Sequence, residues 1–290
     1  MNLMEIFSEV VVVVSLLLPV ALIFVVGPSR LWKSLSNLKP KLREAAPVYV
    51  ALGIVLGINS IARDTGNNLS WIIGINITGH IHTFEGQFVA DLQSMATPAL
   101  TTYFSAIYVF GYTFLLVFPL FAYLLHDDLR PLYETVTAYI LNYSVGLVCY
   151  IVFVAYGPRN LIPELVEPLL YTNWPHSQLL TSEVNTNTNV FPSLHTSLSV
   201  TVALLSYRYR DVYSRWVPIA CLLAVSVAIA TMYLGIHWLT DVVVGTVLAV
   251  ISVALAIRYG ERLHRGPRLF ATDWIGYRAV TYVRNWRRND

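Results

Sequence analysis

Residues 190–207 read VFPSLHTSLSVTVALLSY. Pro192, Ser193 and His195 open the stretch, and an apolar run over 194–207 follows at once. A membrane-crossing helix needs roughly 20 apolar residues, about 17 at the short end, so this run is the shortest candidate in the chain. Whether it crosses decides the fold, because adding or removing one crossing inverts the side on which every later loop falls.

The surrounding chain leaves little doubt about its solvent. Of 290 residues, 56% are hydrophobic and 12% are charged, and the mean hydropathy is +0.59. Soluble domains carry about 25% charged residues. The chain therefore reads as an integral membrane protein, with no nucleic acid expected as a partner. Seven spans are expected, near 10–27, 46–62, 101–125, 134–156, 194–207, 216–236 and 239–257. Acidic Glu5 and Glu9 precede the first run, where a cleavable signal would carry basic residues, so that run is expected to be a retained span. Cys149 and Cys221 both fall inside apolar runs, which speaks against a disulfide framework.

Charge tests the count. With the N-terminus outside, the inner segments are 28–45, 126–133, 208–215 and 258–290, and they hold 17 of the 19 Lys and Arg residues. Arg63 and Arg159 are the two left outside. Such a bias follows the positive-inside rule, and it disappears if 194–207 is not counted. The expected location is therefore a cell membrane, crossed several times, with the C-terminus cytoplasmic. Ser193 and the loops 63–100 and 157–193 would then lie outside. Two further segments stand apart. In 81–95, Ile81, Phe84, Phe88, Leu92 and Met95 recur at helical spacing, as in an amphipathic helix lying on the outer surface. The tail 259–290 mixes arginine with Trp274, Tyr277, Tyr282 and Trp286, as an ordinary inner anchor or a contact to anionic headgroups.

Polar groups gather at the outer span ends. A proline suits the first turn of a helix, and the N–H groups there, with the Ser193 hydroxyl, make an anion site. The plainer reading of Ser193 is a helix cap. His237 and Asp241 are four apart, on one face if helical, and a carboxylate beside an imidazole fixes its tautomer. Gly157-Pro158-Arg159 ends one span. A phosphate needs cationic partners, and Arg159 is favoured over Arg63 because its loop leads to Ser193.

Pro192-Ser193-Leu194-His195, followed by His237-Trp238-Leu239-Thr240-Asp241, resembles the membrane branch of the type 2 phosphatidic acid phosphatase / vanadium haloperoxidase superfamily over about 155–250. That family carries a Lys/Arg-Pro motif, a Pro-Ser-x-His motif and a His-x-x-x-Asp motif, in this order. The resemblance implies an all-α polytopic membrane bundle: a six-helix phosphatase-type core over 46–258, an additional N-terminal span with a basic loop over 1–45, and the tail 259–290. It implies a lipid phosphatase or phosphotransferase acting on a phospholipid or isoprenoid phosphate, with His237 as nucleophile and Asp241 orienting it. His195 would protonate the leaving alkoxide and then activate water or an alcohol acceptor. Ser193, the Leu194 backbone and Arg159 would hold the phosphate oxygens, with no metal and no cofactor. Thr231 stands where the family usually has an arginine, and the usual lysine before Arg159 is missing. In this the chain is similar to the inositol phosphoceramide synthase subgroup, a resemblance that favours a transferase and a singly charged phosphodiester. The competing readings are a transporter, whose spans normally show charge near the midplane, and a metal-binding scaffold on His195, His237 and Asp241. His80 and His82 lie on the outer side and read as structural.

Overall fold

The computed structural model describes residues 3–176, 178 and 190–260. Residues 1–2, 177, 179–189 and 261–290, which include the expected tail, and the Arg63 side chain lie outside the described residues. The chain is an all-α membrane bundle. Six helical stretches are long and apolar enough to cross a bilayer: Met4–Val25, Leu38–Ala62, Pro98–Leu124, Arg130–Val152, Trp216–Tyr233 and Leu239–Gly260.

Helix α1 (Leu3–Val25) and the short α2 (Pro28–Ser36) lead into α3 (Leu38–Ile73), a continuous helix of 36 residues. At 1.5 Å rise per residue α3 is about 54 Å long, far more than a span needs. The expected loop thus begins later than 63: residues 63–73 continue the helix. Two short helices follow, α4 (Thr78–Glu85) and α5 (Phe88–Gln93). The single amphipathic helix expected over 81–95 is broken at Gly86, whose φ of 60° ends α4. Ile81 and Val89 face inward, whereas Phe84, Phe88 and Met95 remain exposed, an apolar outer face suited to a lipid interface.

The third crossing is built from α6 (Pro98–Ala106), a π-helical turn (Ile107–Gly111) and α7 (Tyr112–Leu124). Helix α8 (Arg130–Val152) packs along α3. Their ends are tied by a two-residue parallel pairing of β1 (Ile75–Asn76) with β2 (Phe153–Val154). The short turns α9 (Pro158–Leu161) and α10 (Leu169–Asn173) follow. Then come α11 (Leu194–Arg208), α12 (Trp216–Tyr233) and α13 (Leu239–Gly260).

The seventh expected span, 194–207, is α11, and it is not among the six. It has 15 residues and carries buried Thr196, Ser197, Ser199, Thr201 and Ser206. It can be polar because it is enclosed by α8 and α12 rather than facing lipid. Its hydroxyls meet Asn142 of α8, which donates to Thr201 at 3.1 Å and accepts from Ser197. Buried polar groups persist where they are paired in this way. Farther along, Arg208 forms a 2.8 Å ion pair with Glu134, which is 1% exposed. Cys149 and Cys221 are both free thiols.

Three of the four segments grouped by charge meet at one end of the bundle. Lys41 bonds Asp127 and the Leu125 carbonyl, Arg30 reaches the Val212 carbonyl, and Arg215 reaches that of Phe24. The segments around 190–195, 157–159 and 234–241 meet at another end.

Candidate active site

The site is assembled from three chain segments whose backbones brace one another. Gly157 lies so close to the Ile236 carbonyl that a Cβ there would collide with it. This approach lets the Arg159 N–H donate to the Gly235 carbonyl at 3.1 Å. Gly235, with φ of 72°, turns the chain out of α12, and the Ile236 and His237 N–H groups both return to the Thr231 carbonyl at 3.0 Å. The Ser193 N–H donates to the Asp241 carbonyl at 3.1 Å, and Gly245 leaves room for that Ser193 backbone. Segments far apart in sequence are thereby held in fixed register by main-chain bonds.

His237 is 1% exposed and Asp241 is fully buried. One carboxylate oxygen, Oδ2, accepts from the Trp238 N–H at 2.9 Å and lies 3.3 Å from His237 Nδ1. With the carboxylate on Nδ1, the imidazole proton belongs there and Nε2 carries the lone pair. Burial lowers the His237 pKa to about 3 against the opposing pull of the Val190 backbone, with the Arg159 charge acting in the same direction as burial, so the ring is neutral near pH 7. His195 lies across from it, with ring centroids 6.3 Å apart.

Arg159 reaches the site with its guanidinium 4.5 Å from the Tyr171 ring centroid, and Nη2 donates to the Tyr171 hydroxyl at 2.9 Å. Three polar atoms here are buried with no hydrogen-bond partner among the described residues: Arg159 Nη1, His237 Nε2 and Asp241 Oδ1. Buried polar atoms are almost always paired, and these three belong to two of the converging segments, 157–159 and 234–241. Among the described residues no group of three His, Cys, Asp or Glu that could hold a metal ion is found.

Two expectations change in detail. Pro192 is not in the first turn of α11; it precedes Ser193, which is the N-cap. Ser193 Oγ accepts the Thr196 N–H at 3.3 Å and pairs with the Thr196 hydroxyl at 3.1 Å. The cap reading of Ser193 is realised, and its hydroxyl proton remains for another acceptor when Thr196 donates in that pair. Leu194 begins the helix, packed over Gly146 of α8. Thr231, in the place of the usual arginine, is fully buried and turns its hydroxyl back to the Ala228 carbonyl at 2.8 Å.

Residues that sequence reasoning passed over support the site from outside. The Glu85 carboxylate accepts from the Leu239 N–H at 2.8 Å and from the Thr240 N–H, capping the start of α13 beside Asp241. Gln93 donates to the Tyr233 and Glu167 carbonyls and accepts from the Glu167 N–H. Trp238, fully buried, donates to the Tyr156 carbonyl at 2.8 Å and meets the His82 ring edge-on at 5.8 Å. Glu85→Ala removes an anionic cap from two helix-start N–H groups. It is expected to destabilise the protein by about 2 kcal/mol, read as a lower thermal midpoint in detergent. An unchanged midpoint would mean that the cap carries no weight.

Fold and site together define a polytopic helical membrane protein in which three polar segments converge at one end of the bundle. A family model described as the PAP2 superfamily matches residues 82–255, from within α4 to within α13. The chain belongs to that superfamily, which is typically made of phosphatases and phosphotransferases and supports an enzyme of lipid-phosphatase type. No curated protein and no solved structure matches the chain.

Proposed function

We propose that this protein is an integral-membrane lipid phosphatase or phosphotransferase that passes a phosphorus group through His237. The observation that carries the reading is the buried, unpartnered Nε2 of His237, with Asp241 behind it and Arg159 Nη1 unpartnered nearby. Nε2 attacks phosphorus, the bond to the leaving oxygen breaks, and His195 gives that alkoxide its proton. An incoming water or alcohol then yields a proton to His195 and takes the phosphorus group from nitrogen, which restores His237. Arg159, the Leu194 backbone and the Ser193 hydroxyl bind the non-bridging oxygens.

With Thr231 turned back on its own helix, the Arg159 charge, which acts on His237, supports reading Arg159 as the phosphate-binding cation. One arginine suits the single charge of a phosphodiester better than a dianion. This favours transfer of a headgroup such as inositol phosphate onto a lipid alcohol over simple hydrolysis. The distribution of Lys and Arg supports placing the site on the external face of a cell membrane.

The test is the full-length protein in liposomes with labelled lipid phosphates and phosphodiesters, with and without inositol or glycerol. Turnover with a labelled adduct indicates transfer, and release of phosphate indicates hydrolysis. Orthovanadate adopts the five-coordinate geometry of the transition state and is expected to inhibit competitively; turnover insensitive to vanadate would overturn the mechanism. The external assignment predicts that an impermeant thiol reagent labels a Glu164→Cys variant in intact cells.

A further inference from the structure

His237 and His195 are held by different means. The His237 ring is tethered by Asp241. His195 has no such tether: among the described residues its ring contacts are aromatic. The Tyr108 ring stacks on it at 4.6 Å between centroids with planes 24° apart, and the Tyr112 ring lies at 4.5 Å and 42°. A general acid and base must be aimed at the reacting oxygen within hydrogen-bond reach. Something other than a hydrogen bond therefore has to fix this ring.

Tyr108 lies in the irregular turn of the third crossing, and Tyr112 follows that turn directly at the start of α7. Residues 107–111 form a π-helical turn, closed by a Tyr112 N–H to Ile107 carbonyl bond. Such turns insert a residue into an α-helix and re-aim the side chains that follow, often at functional sites. Here the turn separates α6 from α7 and presents Tyr108 and Tyr112, four apart, to the same imidazole. Tyr108 is 5% exposed, so one side of the clamp is rigidly packed. The faces of aromatic rings carry partial negative charge and attract a cation; a protonated His195 against the stacked Tyr108 ring and the tilted Tyr112 ring is the form that donates to a leaving alkoxide.

We propose that Tyr108 and Tyr112 are positioning residues that clamp the His195 ring in the orientation for proton transfer. This rests on the reading of His195 as the acid and base. The contribution lies in the ring faces rather than the hydroxyls, and leaving-group dependence reads it in the first step, where a poor leaving group needs a proton and a good one does not; the later proton uptake from water or an alcohol is common to both.

The leaving group supplies the test. An alkyl phosphodiester requires protonation as its P–O bond breaks, whereas p-nitrophenolate leaves without it. Full-length Tyr108→Leu and Tyr112→Leu are each expected to lose about 10-fold or more in kcat/KM, which reports the step that expels the leaving group, on the alkyl ester. On the matching p-nitrophenyl ester they are expected to stay within about threefold of the parent, as are Tyr108→Phe and Tyr112→Phe on both esters. Equal losses of the Leu variants on the two esters would show a merely structural role and overturn the clamp. No loss on either ester would overturn it too, as would Phe variants as impaired as Leu. Tyr108→Met and Tyr112→Met, which keep volume without a ring, give the same readout if a Leu variant does not fold. His195→Ala separates the two levels: if it shows no leaving-group dependence, the acid/base reading itself fails. If it shows that dependence and the tyrosine variants do not, the clamp alone fails.

Discussion

His237→Ala is expected to lower turnover by about 10⁴-fold or more, the scale seen when a covalent nucleophile is removed from a cooperating set. The reason is local. Asp241 sits on Nδ1, burial keeps the ring neutral, and Nε2 is the atom left to react. No neighbouring group substitutes, because the His195 ring lies 6.3 Å away between two tyrosines. The fold should persist, since the backbone N–H of residue 237 would still bond the Thr231 carbonyl. Two measurements check this: turnover in liposomes, and trapping of labelled phosphorus on the protein as an acid-labile, base-stable adduct. Wild-type protein should carry the label and His237→Ala should not. Undiminished turnover in the variant would remove His237 from the mechanism.

Asp241→Asn is expected to cost about 10²–10⁴-fold, the upper value being that of the analogous change in a serine protease triad. A single carboxylate oxygen serves both the Trp238 N–H and His237 Nδ1. An asparagine oxygen can occupy that position and keep the Trp238 bond, so the helix start survives. What goes is the negative charge that stabilises His237 as positive charge develops on it when phosphorus is bound. The loss should therefore appear in kcat, with a thermal midpoint close to that of the parent. A large fall in the midpoint with little change in kcat would make Asp241 a structural cap only.

Much of the architecture was legible because hydropathy and charge act locally along a chain. The long apolar runs and the skewed arginines identified the six helices long and apolar enough to cross a bilayer. Helix α11, shorter at 15 residues, still runs from the site end to the end where 208–215 meets 28–45. That stretch reads as a short, polar span because periodicity does not reveal what surrounds a helix. Inside the bundle its hydroxyls meet Asn142 and need no lipid-facing surface. The break at Gly86 was missed for a related reason: Ile81, Phe84 and Phe88 fit one helical stripe, yet packing buries Ile81 and Val89 and leaves Phe84 out.

The candidate residues of the site were recognisable because each lies within a short motif. Their supports were not. Glu85 acts across more than 150 residues of sequence on the N–H groups at 239 and 240. Tyr171 bonds Arg159 from a loop without a motif. Tyr108 and Tyr112 look like ordinary members of an aromatic span until the π-helical turn aims them at His195.

The sequence by itself determined the solvent, the chemistry on offer and the order of the motifs, since apolar run length, charge bias and residue type are properties of neighbouring residues. Tertiary structure alone decided that PSLH, GPR and HWLTD meet at one end of the bundle. That depends on glycines admitting backbones into contact and on main-chain bonds between distant segments, interactions whose partners are not chosen by any local pattern. For VFPSLHTSL the outcome is concrete: Ser193 caps a buried helix, and His195 is set between two tyrosines that its own neighbourhood in the chain does not contain.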